Sequence, residues 1–218
     1  MGCERRVETR TNGANAVGSV GLDYLLKNYN YEGCPAEGLI IQKINAGLAD
    51  NKQLMELIFD NSLHKEKGRK AALKKLIDNL PKLSPREAEA ITGKCMNNYN
   101  WTKSPAEEII IAAIRAGKLS MATLLAISFD RANHRAAARD AAVAQIQKEL
   151  PKHSPQEVEL IVKESLKEYF TYGVPAEKII IAAVGSGKLS ESTLFNPARD
   201  HTLHHEPVYK AARKKLEI

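Results

Sequence analysis

The sequence predicts an all-α fold, an α-solenoid-like helical repeat of three units, each about 70 residues long and made of four short helices. Three observations predict it: an internal repeat, helix start and stop signals at the same places in each copy, and no segment with a strand-like alternation. Because a short amphipathic helix cannot bury its apolar face alone, neighbouring units are expected to stack. A compact multi-helix bundle is the alternative architecture, since three units are few.

The repeat shows in three segments that each open on a tyrosine, at Tyr29, Tyr99 and Tyr169, with a period of 70 residues. Residues 99–120 and 169–190 agree at 13 of 22 positions. The register predicts one helical-repeat domain over 17–218 and a polar, mobile N-terminal arm over 1–16. Its units span three ranges: 17–80, 83–150 and 153–218.

We name the four helices of a unit D, A, B and C in chain order. A Ser-Pro-x-Glu pattern, typical of a capping box with proline at the first helical position, starts helices D and A of the second unit and helix D of the third. Helix D of the third unit is predicted to start after Ser154 and to end near Tyr169. Helix A of the second unit follows Ser104, uses Glu107 in its box, and stops at Gly117, which can adopt the left-handed conformation.

Helices B and C complete each unit. In the second unit, the apolar spacing predicts helix B from Ser120 to about Asn133. Helix C is predicted from about Arg135 to Leu150, where Pro151 ends it.

Composition excludes several classes of protein. With 44% hydrophobic and 27% charged residues, the chain is ordinary globular sequence, neither disordered nor collagen-like. It has no apolar run long enough to span a bilayer and no signal-peptide pattern, so we expect a cytoplasmic protein. Its three cysteines are scattered, which predicts neither a disulfide framework nor a metal site.

The first residues suggest one way in which the protein could associate with a membrane. Gly2 could carry a myristoyl group and Cys3 a palmitoyl group, a pair of lipids that anchors a protein to membranes. Arg6 stands where the myristoylation pattern has serine or threonine. A lipid-anchored, effector-type protein is therefore a further alternative, with membrane association only if these residues are acylated.

The net charge of +6 concentrates on the C helices. If helix C lies on the same side in every unit, its basic residues form one stripe that suits an anionic partner such as nucleic acid, anionic lipid or an acidic protein. A plain solvated face is the alternative. The predicted stripe comprises Lys67, Arg69, Lys70, Lys74, Lys75, Arg135, Arg139, Lys210, Arg213, Lys214 and Lys215.

An Asp-x-x-x-His pair recurs in every unit near the end of helix B. A carboxylate beside a histidine suits acid–base or metal chemistry. Because three identical corners need three identical caps, we interpret the pairs as structural. They are Asp60 and His64, Asp130 and His134, and Asp200 and His204.

Aromatic residues cluster at the D-to-A junction. The leading tyrosine is the same in all three units, which predicts a core position, whereas the residues after it vary. Repeat proteins place variable residues at the binding edge. We therefore predict a partner-binding rim formed by Tyr31, Trp101, Lys103 and Tyr172. A variable loop without a binding role is the alternative.

No nucleophile motif, paired-carboxylate pattern or cofactor fingerprint is present in the sequence. We therefore expect a non-enzymatic binding module or scaffold, without cofactor or metal, whose partner is a protein. The rim gives specificity and the basic C helices give attraction. A nucleic-acid-binding protein that contacts phosphates through the basic stripe is the alternative.

Overall fold

The computed structural model describes residues 21–28, 35–60, 66–97, 105–130, 136–172, 174–199 and 207–217. These residues form twelve α-helices and two 3₁₀ turns and contain no strand, which confirms the all-α class. No described helix is both long enough and apolar enough to cross a membrane. The arm at 1–16, including Gly2 and Cys3, lies outside the described residues.

The chain divides into two compact units, Met1–Asn79 and Leu80–Ile218. The first contains one set of D, A, B and C helices, in which α2 and α3 both pack on α4 while α1 packs on α2. The four helices are α1 (Leu22–Asn28), α2 (Pro35–Asn45), α3 (Asn51–Ile58) and α4 (Glu66–Asn79). The division falls at the predicted end of the first repeat, and a single domain over 17–218 stays a prediction.

The second compact unit, Leu80–Ile218, contains the other two repeats, each with four helices. They are α5 (Pro85–Asn97), α6 (Pro105–Arg115), α7 (Met121–Ser128), α8 (Ala136–Glu149), α9 (Pro155–Tyr172), α10 (Val174–Gly185), α11 (Glu191–Arg199) and α12 (Pro207–Leu216). Helix α6 packs on α5 and α8. Helix α10 packs on α9 and also on both C helices of this unit, α8 and α12.

The A helices supply much of the core. Ile109 and Ile110 of α6 are fully buried, as are Ile179 and Ile180 at the same positions of α10. Adjacent isoleucines can both be buried because α10 has neighbours on more than one side. Burying a side chain of this size stabilises the fold by about 2 kcal/mol.

Helix punctuation follows the predicted signals. Ser84 N donates to Glu87 Oε2 at 2.9 Å and Glu87 N donates to Ser84 Oγ at 3.3 Å, a complete capping box. The hydrogen bonds from Ser84 hold the pKa of Glu87 below its ordinary value. Gly117 ends α6 with φ +64°, and the matching glycines of the other repeats also have positive φ. Both signals are local, which is why the sequence reveals them.

Helix B is shorter than predicted. Helix α7 ends at Ser128, not near Asn133, because the backbone N–H groups of the next two residues bond back to carbonyls of its last turn. Phe129 N donates to Leu125 O, and Asp130 N donates to Ile127 O over the tighter three-residue span. Helix α9 runs to Tyr172, three residues past its predicted end.

Candidate functional site

The predicted D-to-A rim falls largely outside the described residues. Tyr31, Trp101 and Lys103 lie there, and Tyr172 is described only as the last residue of α9. Tyr169, the leading tyrosine of the third repeat, is 7% exposed, which confirms its predicted core position. The rim itself stays a prediction.

Helix α4 carries three exposed lysines on one side. Lys67, Lys70 and Lys74 are three and four residues apart, the spacing that places side chains on one helical face. Lys70 Nζ lies 2.6 Å from Glu66 Oε1, and its hydrogen bond lowers the pKa of Glu66. An exposed pair of this kind contributes little, so another anion can replace the glutamate. Lys75 is half-buried beside this face.

Helix α12 also carries a basic surface. Lys210, Lys214 and Lys215 are exposed. Arg213 is half-buried, donates to the Tyr209 hydroxyl at 2.7 Å, and stacks 5.4 Å from the centre of that ring. The guanidinium is therefore held on its own helix, while the three lysines face solvent.

The C helix between these two in the chain, α8, differs. Arg135 lies outside the described residues, and Arg139 is half-buried. Where α4 has Lys70, Lys74 and Lys75, the matching positions of α8 have Asp140, Ala144 and Gln145. The described basic surfaces are thus local to α4 and α12, and a stripe that joins all three C helices stays a prediction.

The Asp-x-x-x-His corners are described only at their aspartates. Asp60 and Asp130 follow the end of helix B and are not part of it. Asp200, His64, His134 and His204 lie outside the described residues. The interpretation of the pairs as corner caps stays a prediction.

The described part of each corner shows a cap that the sequence reasoning missed. Arg69 Nη1 donates to Asp60 O at 3.0 Å, and Arg139 Nη1 donates to Asp130 O at 2.9 Å. Both arginines belong to the predicted anionic-partner surface, yet each caps a backbone carbonyl within its own repeat. The signal that could have revealed this role is the spacing of nine residues between aspartate and arginine, which occurs twice.

A second unforeseen contact starts helix C. The sequence pattern assigns Glu107 to a local capping box with Ser104, which lies outside the described residues. In the structure, Glu107 Oε1 accepts from Ala137 N at 3.0 Å and Ala138 N at 3.3 Å, at the start of α8. A carboxylate is favoured there by the helix dipole. The matching Glu37 is 6% exposed, and its Oε1 has no donor among the described residues.

A third contact clamps helix D to helix B. Glu89 Oε1 on α5 accepts from Ser120 N, the N-cap of α7, at 3.0 Å. Glu159 Oε1 on α9 accepts from Ser190 N, just before α11, at 3.1 Å. The hydrogen bonds from Ser120 and Ser190 lower the pKa of Glu89 and Glu159 respectively. The same clamp is thus built in two successive repeats.

The described residues contain no group of three or more His, Cys, Asp or Glu side chains placed to hold a metal ion. Comparisons with models of protein families, with curated proteins and with solved structures found no match. What the chain does must therefore be inferred from its own geometry.

Proposed function

We propose that this chain is a non-enzymatic helical-repeat binding module that recognises a protein partner. The observation that carries the proposal is that successive repeats keep one internal framework and change the surface that covers it. The Glu89–Ser120 and Glu159–Ser190 clamps join matching positions. A constant framework with a varied surface is typical of repeat proteins that bind other macromolecules.

Helix contacts support a solenoid-like stack of the two repeats within the compact unit Leu80–Ile218. The A helix α10 packs on the C helix of its own repeat, α12, and on that of the preceding repeat, α8. In a stack, each repeat packs on its neighbour, as α10 does on α8 of the preceding repeat. Repeats that are joined through shared helix packing present one continuous surface, which suits a macromolecular partner better than a small ligand.

We assign specificity to the rim of Tyr31, Trp101, Lys103 and Tyr172, because tyrosine and tryptophan are frequent anchors of interfaces. The exposed lysines of α4 and α12 add electrostatic attraction. The partner surface then carries both acidic and apolar groups.

The test is selection of a displayed library of short peptides against the full chain, followed by fluorescence anisotropy with each purified peptide. We expect peptides whose affinity falls at least about tenfold for the Y31A/W101A/Y172A variant, since aromatic anchors dominate interfaces. A thermal melt verifies that this variant folds. Peptides that bind both proteins equally remove the rim from the proposal, and a library that yields no binding peptide overturns the proposal.

Nucleic acid is a second candidate, favoured by the face formed by Lys67, Lys70 and Lys74 on α4. Anisotropy of labelled oligonucleotides at about 50 and 200 mM salt tests it, because phosphate contacts lose orders of magnitude in affinity over that range. Steep salt dependence, together with loss of binding in K67E/K70E/K74E, would establish this candidate. The control replaces three exposed lysines of other helices: K94E/K148E/K178E.

A further inference from the structure

A groove of about 720 Å³ follows the solvent side of α9 and ends at the start of α11. Leu160 and Leu166 line it, and Leu160 is 60% exposed. Lys163 and Lys167 border the same strip and are both exposed. Thr193 of α11 lies at its far side. An apolar strip with two cations beside it is therefore open to solvent.

The two sides of the groove are held together before anything binds. Glu159, which lies in the groove, accepts from Ser190 N, and Ser190 Oγ accepts from Thr193 N at 3.3 Å. Since α9 and α11 are joined in this way, an occupant need not order them. Binding to preorganised walls loses less free energy to ordering.

The framework does not require the residues that line the groove. The second repeat builds the same clamp with Glu89 and Ser120, yet at three of the matching lining positions its residues are small or uncharged. In place of Leu160, Lys163 and Lys167 it has Ala90, Gly93 and Asn97. An exposed leucine followed by two exposed lysines on the same helix is thus a feature of the third repeat that the shared clamp does not explain.

We propose that this groove binds an acidic amphipathic helix of a protein partner, an inference that rests on the proposed function and names the partner class. Leu160 and Leu166 receive the apolar face of the helix, and Lys163 and Lys167 pair with its carboxylates. Lys167 Nζ now lies 2.6 Å from Glu164, in an exposed pair that a partner carboxylate can exchange.

Charge selects this occupant over two others. Of the described residues that line the groove, Glu159 alone carries a carboxylate, and that carboxylate accepts from Ser190. The chain's own N-terminal arm is basic, with three arginines against two glutamates among residues 1–16. A second copy of the chain carries a net charge of +6. Neither complements two lysines as an acidic helix does.

The groove is long enough for a helix with repeated anchors. Its lining runs along α9 from Gln156 to Lys167, a length of about 16 Å at about 1.5 Å per residue. That is about three helical turns, which accommodates apolar anchors spaced by three or four residues.

The experiment selects, against the full chain, a displayed library of amphipathic helical peptides whose flanking charges are randomised. The probes are the purified peptides that the selection enriches, with affinities measured by anisotropy. We expect the enriched peptides to carry an excess of aspartate and glutamate. We expect their affinity to fall at least about tenfold for K163E/K167E and for L160A/K163A/K167N, which approaches the lining of the second repeat.

The matched control is K94E/K178E, which reverses two exposed lysines that do not line the groove and should preserve binding. Thermal melts verify the fold of each variant.

Enriched peptides that are basic or neutral overturn the inference. So do peptides whose affinity for K163E/K167E equals their affinity for the unsubstituted chain. If those peptides instead lose affinity for Y31A/W101A/Y172A, the proposed function survives, and if nothing is enriched, both fail. A dimer in sedimentation that K163E/K167E abolishes also overturns the inference, because the occupant is then a second copy.

Discussion

Arg139 Nη1 donates a 2.9 Å hydrogen bond to the backbone oxygen of Asp130, nine residues earlier in the chain. Asp130 lies just past the C-cap of α7, where a backbone carbonyl that is shielded from water needs a donor from elsewhere in the chain. Arg69 and Asp60 repeat this arrangement in the first unit. In the third repeat Tyr209 stands at the arginine position, and it accepts a hydrogen bond from Arg213.

Replacing Arg139 with alanine removes this donor from a half-buried carbonyl. We expect the free energy of unfolding to fall by about 1–2 kcal/mol, the usual cost of losing such a hydrogen bond. Urea denaturation measures it. Lys148→Ala, on the exposed side of the same helix, is the control and should change stability by less than about 0.5 kcal/mol. Equal effects of the two substitutions would contradict the cap.

Two glycines should respond oppositely to the same substitution. Gly117 has φ +64°, where a Cβ is strained, although no atom lies within 4 Å of the position it would take. Gly117→Ala should therefore destabilise the protein by about 1 kcal/mol. Gly93 lies inside α5 with equally open space, so Gly93→Ala should stabilise it by up to about 1 kcal/mol. Shifts of the same sign in urea midpoints would refute the conformational explanation.

Thr92 is fully buried in α5, and its hydroxyl has no hydrogen-bond partner among the described residues. The third repeat has Val162 at the matching position, also buried. Because valine keeps the shape and removes an unsatisfied hydroxyl, Thr92→Val should raise the free energy of unfolding by about 1 kcal/mol. Thr123→Val is the contrasting variant, since its hydroxyl donates to Glu89. It should not stabilise the protein.

The clamps predict loss of stability in acid. The serine hydrogen bonds lower the pKa of Glu89 and Glu159, so each carboxylate contributes stability that is complete above the unfolded value of about 4.3. That contribution disappears as the pH falls through the lower folded pKa. E89Q/E159Q should lower the urea midpoint at pH 7 and reduce its decline below about pH 4.3. Midpoints measured from pH 7 to pH 3 check this, and an unchanged acid decline would exclude the clamps as its source.

Local contacts and distant contacts differ in how far the sequence predicts them. The box of Ser84 and Glu87 spans three residues, so its two members identify each other in the sequence. Glu107 displays the same local pattern, yet its carboxylate accepts from Ala137, thirty residues away. In the sequence, Arg139 is indistinguishable from an ordinary surface charge. Only the packing of α7 on α8 brings it to the Asp130 carbonyl. Charge and residue type alone do not identify such partners.

The order of residues alone establishes the helical class, the capping serines and the glycines that end the A helices, because each depends on residues within a few positions of one another. The period of 70 needs only a comparison of the sequence with itself. Helix packing establishes the arginine caps, the Glu159 clamp and the groove beside Leu160. Those features join residues of different elements, from nine to about thirty positions apart in the chain. A side chain's partner at that distance is set by which faces the helices bury, and many placements of the same helices satisfy the same local signals.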